Sequence, residues 1–174
     1  MAFNVNEIRA NLIGDGARPS LFEVTMVNPV STVGDQKLRY MVRAAQIPAS
    51  SLSMIPVPYF GREIKVAGTR TFADWQVTVM NDEDFAVRRA LEAWSSAINS
   101  NQTNVRSVSN YRSTADVIQY GKDGSEIRRY QFVNIFPIEV GQIDLSWDQG
   151  NAIEEFPVTF AFDYWTVADD QLFQ

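Results

Sequence analysis

The 174-residue chain contains no cysteine and no histidine. Without cysteine it cannot form a disulfide, and nothing in its composition argues for secretion. Because both residue types are missing, it cannot form a Ser-His-Asp or Cys-His catalytic site. It also cannot form the usual zinc site, whose ligands are mostly these two side chains. Carboxylate chemistry and oxygen-ligated Mg²⁺ or Ca²⁺ remain open.

Long apolar runs are missing as well. No run approaches the roughly 20 residues that a membrane-spanning helix needs, and the first residues lack the basic start and apolar segment of a signal peptide. The formal net charge is -6, from 21 acidic and 15 basic residues. This balance argues against a strong grip on a nucleic-acid backbone, which depends on clustered Lys and Arg. The length predicts one domain, residues 1–174, able to fold alone.

Alternation of apolar and polar residues predicts a mainly β protein. We expect about eight strands, including residues 21–27, 38–45, 72–80, 142–147 and a long final strand at 153–165. One helix among so many strands predicts a two-sheet β-sandwich or barrel with the helix across one opening.

The predicted helix covers residues 82–99, with Asn81 as its N-cap and acidic residues 82–84 in its first turn. Arg88, Arg89 and Glu92 should be more exposed than the apolar face, which packs on the sheets. That core face consists of Val87, Leu91, Trp94 and Ile98.

Residues 54–66 predict a hairpin with an unpaired edge. Pro56 and Pro58 cannot donate ladder hydrogen bonds, and their spacing of two puts both missing donors on the same edge. Because an unpaired edge tends to pair with another chain, we expect the hairpin to contact a neighbouring subunit. Its assembly residues are Met54, Pro56, Pro58, Tyr59, Phe60 and Gly61.

Acidic residues are the main candidates for chemistry. The cluster at residues 82–84 is interpreted as a helix N-terminus. Glu154 and Glu155 should point to opposite faces of a strand, so they cannot easily share a site. We therefore expect no enzyme, with no catalytic residue, cofactor or metal. A carboxylate-pair hydrolase and a carbohydrate-binding β-sandwich, the latter favoured by 12% aromatic residues, stay as distant alternatives.

Residues 66–82 read Val-Ala-Gly-Thr-Arg-Thr-Phe-Ala-Asp-Trp-Gln-Val-Thr-Val-Met-Asn-Asp. This run resembles the tail tube proteins of contractile-tailed phages. Similar segments occur at 16–23, 47–57, 136–148 and 156–165, in the family's order. The resemblance thins at 28–36, at 101–111 and after 165.

The resemblance implies a structural virion protein. Six subunits would form a ring, and rings would stack into a tube whose lumen is a continuous β-barrel. It also implies an N-terminal arm at 1–16, a C-terminal tail at 166–174, and tail sheath, baseplate and terminator proteins as partners. The protein would act in the virion tail after assembly in the host cytoplasm. A tailocin tube or a type VI secretion-like tube is the nearest alternative.

The same resemblance places DNA in the lumen, passing without specific binding. An acidic wall would repel DNA, whose charge density is about one negative charge per 1.7 Å. We therefore expect lumen-facing positions to be more acidic than basic. The candidates are Asp144, Glu154 and Glu155.

Overall fold

A computed structural model describes residues 5–106 and 110–168. The elements are three helices and nine strands within those ranges. The helices are α1 (Val5–Asn11), α2 (Asp35–Met41) and α3 (Ala86–Ile98), with 3-10 turns at Ile13–Asp15 and Thr32–Gly34. The strands are β1 (Phe22–Met26), β2 (Val42–Ala45), β3 (Ser50–Tyr59), β4 (Arg62–Phe72), β5 (Trp75–Met80), β6 (Ser113–Tyr120), β7 (Glu126–Val140), β8 (Glu155–Ala161) and β9 (Tyr164–Val167).

Seven strands form one antiparallel sheet in the order β1-β6-β7-β8-β5-β2, with β9 on β7. The long strand β7 joins two halves, because its first part pairs with β6 and β9 and its last part pairs with β8. The halves face each other: the Trp75 ring on β5 stacks on the Phe132 ring on β7 at 4.6 Å. This arrangement confirms the mainly β prediction.

One hydrophobic core fills the space between the halves and α3. Val87, Leu91 and Trp94 are buried in it, and Ile98 packs half-buried against it. The Trp94 indole Nε1 donates to the Tyr111 carbonyl at 2.7 Å. The prediction that Arg88 lies on the exposed face of the helix was wrong. It is half-buried, since it donates to the Gly141 carbonyl at 3.1 Å and its guanidinium lies 5.0 Å from the Phe156 ring centre.

The prediction of a single helix was wrong. Residues 38–41 belong to α2, because the buried Leu38 packs in the core from a helical turn rather than from a strand. Only β2 remains of the strand expected at 38–45. None of the helices among the described residues is long and apolar enough to cross a membrane.

The start of α3 also differs from the prediction. Phe85 adopts a left-handed conformation at φ 52°, so the helix begins at Ala86. Asp84 Oδ1 accepts from the Ala86 amide at 2.9 Å, whereas the Asn81 side chain donates to Glu154 Oε1 at 2.6 Å and caps nothing. The acids therefore precede the helix instead of filling its first turn.

Two predicted strands change as well. The final strand divides into β8 and β9, since β8 pairs with β5 and the end of β7 while β9 pairs with the beginning of β7. Residues 142–147 form no strand. They begin an exposed loop after Gly141, whose amide donates to the Pro157 carbonyl at 2.7 Å.

Candidate assembly surfaces

Strands β3 and β4 form a two-stranded sheet that pairs with no other strand of the described chain. Every residue from 51 to 67 is exposed. A two-stranded ribbon is marginally stable alone in water. The ribbon, here called the hairpin (residues 50–72), therefore lacks a covering surface among the described residues.

The register gives the hairpin two distinct faces. Ile55 lies opposite Val66, Val57 opposite Ile64 and Tyr59 opposite Arg62. Directly opposed residues share a face, so these pairs form one mostly apolar face whose five apolar side chains are 43–62% exposed. The other face carries Met54, Pro56, Pro58, Glu63, Lys65 and Ala67.

The hairpin tip holds an aromatic residue in an unfavourable conformation. Phe60 has φ 43° and Gly61 has φ 79°. Glycine tolerates positive φ readily, but a bulky residue there is an outlier that costs on the order of 1–3 kcal/mol. The Phe60 side chain is nevertheless 93% exposed, with its ring centre 4.7 Å from that of Tyr59. Such a position suggests a role outside the single chain.

Aromatic contacts fix the base of the hairpin to the main sheet. Phe72, the last residue of β4, lies with its ring centre 5.9 Å from that of Phe162 and 6.0 Å from that of Trp165. The hairpin therefore projects from a packed base and ends in an aromatic tip.

The second exposed apolar surface is the β7–β8 loop (residues 141–154). Leu145, Trp147 and Ile153 are exposed, and the Trp147 side chain is exposed completely. The prediction of a strand at 142–147, which would end at Trp147, was wrong. The turn-forming residues 148–151, directly after Trp147, were the signal for a loop.

The loop also brings together the three lumen candidates. Asp144, Glu154 and Glu155 line one cleft of about 420 Å³. Glu154 and Glu155 both line this cleft although they are adjacent in the chain, because Glu154 precedes β8 and strand alternation does not apply to it.

Each of these carboxylates has a partner within the chain. Glu154 accepts from Asn81, and Asp144 accepts from the Gln142 amide at 3.3 Å. Glu155 forms an ion pair with Arg43. The cleft thus offers no pair of carboxylates poised on a common substrate position, as a glycosidase needs.

The acidic cluster before α3 is closed by a lysine. Lys37 Nζ lies 3.0 Å from Asp82 Oδ2 and forms a second ion pair with Asp84. Hydrogen bonds to these carboxylates raise the pKa of Lys37, and the bond from Lys37 lowers the pKa of Asp84. Within residues 5–106 and 110–168, no group of three His, Cys, Asp or Glu side chains could hold a metal ion.

The structure describes the two ends of the chain only in part. Helix α1 has no buried residue, and the assignment of residues 1–16 as an arm stays a prediction. Strand β9 continues to Val167, past the predicted start of the tail at 166. Residues 1–4 and 169–174 lie outside the described ranges.

Comparison with known proteins gives consistent matches. The family described as phage tail tube protein matches residues 17–168. The tail tube protein gp19 of Enterobacteria phage T4 is 39% identical over 160 residues, covering 90% of this chain and 95% of that protein. The corresponding protein of Enterobacteria phage T6 is 38% identical over the same shares.

Solved structures share the fold at low sequence identity. A chain of the sheath–tube complex of the extracellular contractile injection system PVC has a TM-score of 0.61 and 13% identity, covering 95% of this chain and 98% of that one. A chain of that system's sheath/tube terminator has a TM-score of 0.64 and 13% identity, covering 84% and 92%.

Proposed function

Because this chain belongs to the phage tail tube protein family, we propose that six copies close into a ring and that rings stack into the inner tube of a contractile tail. The protein is a structural component of the phage tail and not an enzyme. The identity of 39% to a phage tube over 90% of the chain favours a phage tail over a tailocin or a type VI-like system.

The exposed hairpin is the observation that supports self-assembly most strongly. Its apolar face and aromatic tip are left in water by the single chain, and burying such surface is favourable at about 25 cal/mol per Å². A head-to-tail contact that closes by rotation gives a ring, and repetition along an axis gives a tube. We assign the hairpin, with Tyr59 and Phe60 at its tip, to contact with the adjacent ring.

The carbohydrate-binding alternative needs several exposed aromatic rings in a row. Trp75 and Trp94 are buried, and Trp165 is half-buried. Trp147 is the one tryptophan whose ring is fully exposed. This distribution favours a subunit contact at Trp147 over a sugar platform.

We further propose sheath, baseplate and terminator proteins as partners, and assembly in the host cytoplasm. Fold neighbours come from a sheath–tube complex, a baseplate and a tube-terminating cap. Arg89 and Glu92 are exposed on α3, opposite its core face, and offer a polar surface to a surrounding sheath.

The lumen proposal follows from charge. Each subunit carries a net charge of -6, and this charge is repeated in every copy around the ring. A negatively charged lumen wall repels the DNA backbone, so DNA would have no favourable resting position inside the tube. Asp144, Glu154 and Glu155 remain the proposed lumen residues. The assembled tube should show no measurable affinity for duplex DNA at physiological salt; salt-sensitive binding would overturn the acidic lumen.

Self-assembly is tested by sedimentation velocity over a concentration series. Wild-type protein should form hexamers and then larger particles as concentration rises. Replacing Tyr59 and Phe60 with Ser should leave the circular dichroism spectrum unchanged and reduce stacking. Val105→Ser, which removes an exposed apolar side chain elsewhere, is the control and should assemble normally. Equal assembly by the tip variant would contradict the role of the hairpin.

A further inference from the structure

We propose that the hairpin of one copy packs on the β7–β8 loop of the next copy. The inference rests on the proposed self-assembly and names the surface that receives the hairpin. It joins the apolar face of residues 55–66 to a patch made by Leu145, Trp147 and Ile153.

The two surfaces lie at opposite ends of the same strands. The hairpin ends at Phe72, and after two residues β5 begins at Trp75. The loop ends at Glu154, directly before Glu155, which lies opposite Met80 at the other end of β5. A protrusion at one end and a patch at the other are what a head-to-tail contact requires. Copies joined this way follow one another along the strand direction.

The surfaces match in hydrophobicity. The hairpin presents Ile55, Val57, Ile64 and Val66 side by side, each about half exposed. The loop presents Leu145 and Trp147, both almost entirely exposed, with Ile153 beside the cleft. Tryptophan is enriched among residues that dominate binding energy at protein interfaces. Neither surface is covered by the described part of its own chain.

The surfaces also match in charge. The hairpin has Arg62, Lys65 and Arg70 against Glu63, a balance of three positive charges to one negative. Residues 142–155 contain no basic residue. Asp148, next to Trp147, does not line the cleft of the three proposed lumen residues and is therefore the acid that the loop offers to the hairpin. Complementary charges of this kind steer encounter and fix the orientation of partners. Arg62 shares the apolar face with Tyr59, so we pair it with Asp148, the acid next to Trp147.

A cleft of about 540 Å³ elsewhere on the subunit is a poorer partner for the hairpin. It lies between residues 13–21 and the β6–β7 turn and is apolar with two basic residues, Arg18 and Lys122, beside Asp123. A net positive hairpin would meet like charge there. The loop is therefore favoured over this cleft.

The absence of cysteine makes a direct test possible, because any introduced cysteine is unique. Val57→Cys protein is mixed with Leu145→Cys protein at assembling concentration and treated with a short bismaleimide. A cross-linked dimer joining residues 57 and 145, identified by mass spectrometry, is expected. Thr103→Cys, exposed on a different loop, replaces Leu145→Cys in the control and should give little product. Equal cross-linking to the control, or none to Leu145→Cys in assembled tubes, would overturn the inference.

A charge exchange provides the second test. Asp148→Lys and Arg62→Glu should each raise the critical concentration for assembly by about 3- to 10-fold, and the double variant should recover part of the loss. If Asp148→Lys assembles like wild type while the Tyr59/Phe60 variant fails, the loop is not the receiving surface and the proposed function stands. If wild-type protein never assembles, the proposed function fails and this inference fails with it.

Discussion

Replacing Val57 and Ile64 together by threonine should weaken tube formation without unfolding the subunit. The two side chains face each other across the hairpin and are 43% and 55% exposed. Fully burying a Val or Ile side chain contributes about 1.5–3 kcal/mol, so covering the exposed half of both contributes about as much in total. Because threonine keeps one methyl group, the expected loss is smaller than this total, about 1–2 kcal/mol per contact. This corresponds to a critical concentration about 5- to 30-fold higher.

The subunit itself should be nearly unaffected, since both positions are exposed and threonine favours strands. Light scattering over a dilution series gives the critical concentration, and thermal unfolding of the dilute monomer reports its stability. The control is Glu63→Thr with Ala67→Thr, which changes two exposed positions on the opposite face. If the control weakens assembly as much as the test variant, the apolar face is not the contact surface and the reasoning fails.

Three further changes test the subunit. Trp94→Ala should cost on the order of 3–5 kcal/mol in denaturant unfolding, because its side chain is 0% exposed; a loss below about 1 kcal/mol would contradict the assigned helix face. Burial raises the pKa of Asp116, and its Oδ1 has no hydrogen-bond partner. Its charged form is therefore disfavoured in the folded state, so Asp116→Asn should raise the Tm at pH 7. The gain should shrink as pH falls through the raised pKa and vanish near pH 3; a gain that persists at low pH would refute the assignment. Gly141→Ala should lower the Tm because the added Cβ would lie 2.6 Å from the Pro157 carbonyl oxygen, whereas Gly150→Ala, with open space around it, should not.

Local sequence patterns correctly predicted the core face of α3 and the free edge of β3. The spacing of Val87, Leu91 and Trp94 identified a helix face that the structure buries. The prolines of β3 identified a strand with a free edge, and β3 pairs with β4 alone among the described strands. In both cases the neighbouring residues along the chain determine the outcome.

Where the sequence-based predictions were wrong, contacts between residues far apart in the chain determine the structure. Asn81 looks like a helix cap, but its side chain binds Glu154, 73 positions away. Residues 38–41 alternate like a strand, yet Leu38 enters the core from a helix. Residues 142–147 also alternate like a strand, yet after Gly141 they form a loop that leaves Leu145 and Trp147 exposed.

Electron microscopy of the purified wild-type protein at high concentration shows directly whether the subunits assemble into a tube. We expect stacked rings with six-fold symmetry, an open acidic lumen, and the hairpin of each subunit in contact with the adjacent ring. A protein that remains monomeric at every concentration, or a tube whose bore is lined by arginine, would contradict this expectation.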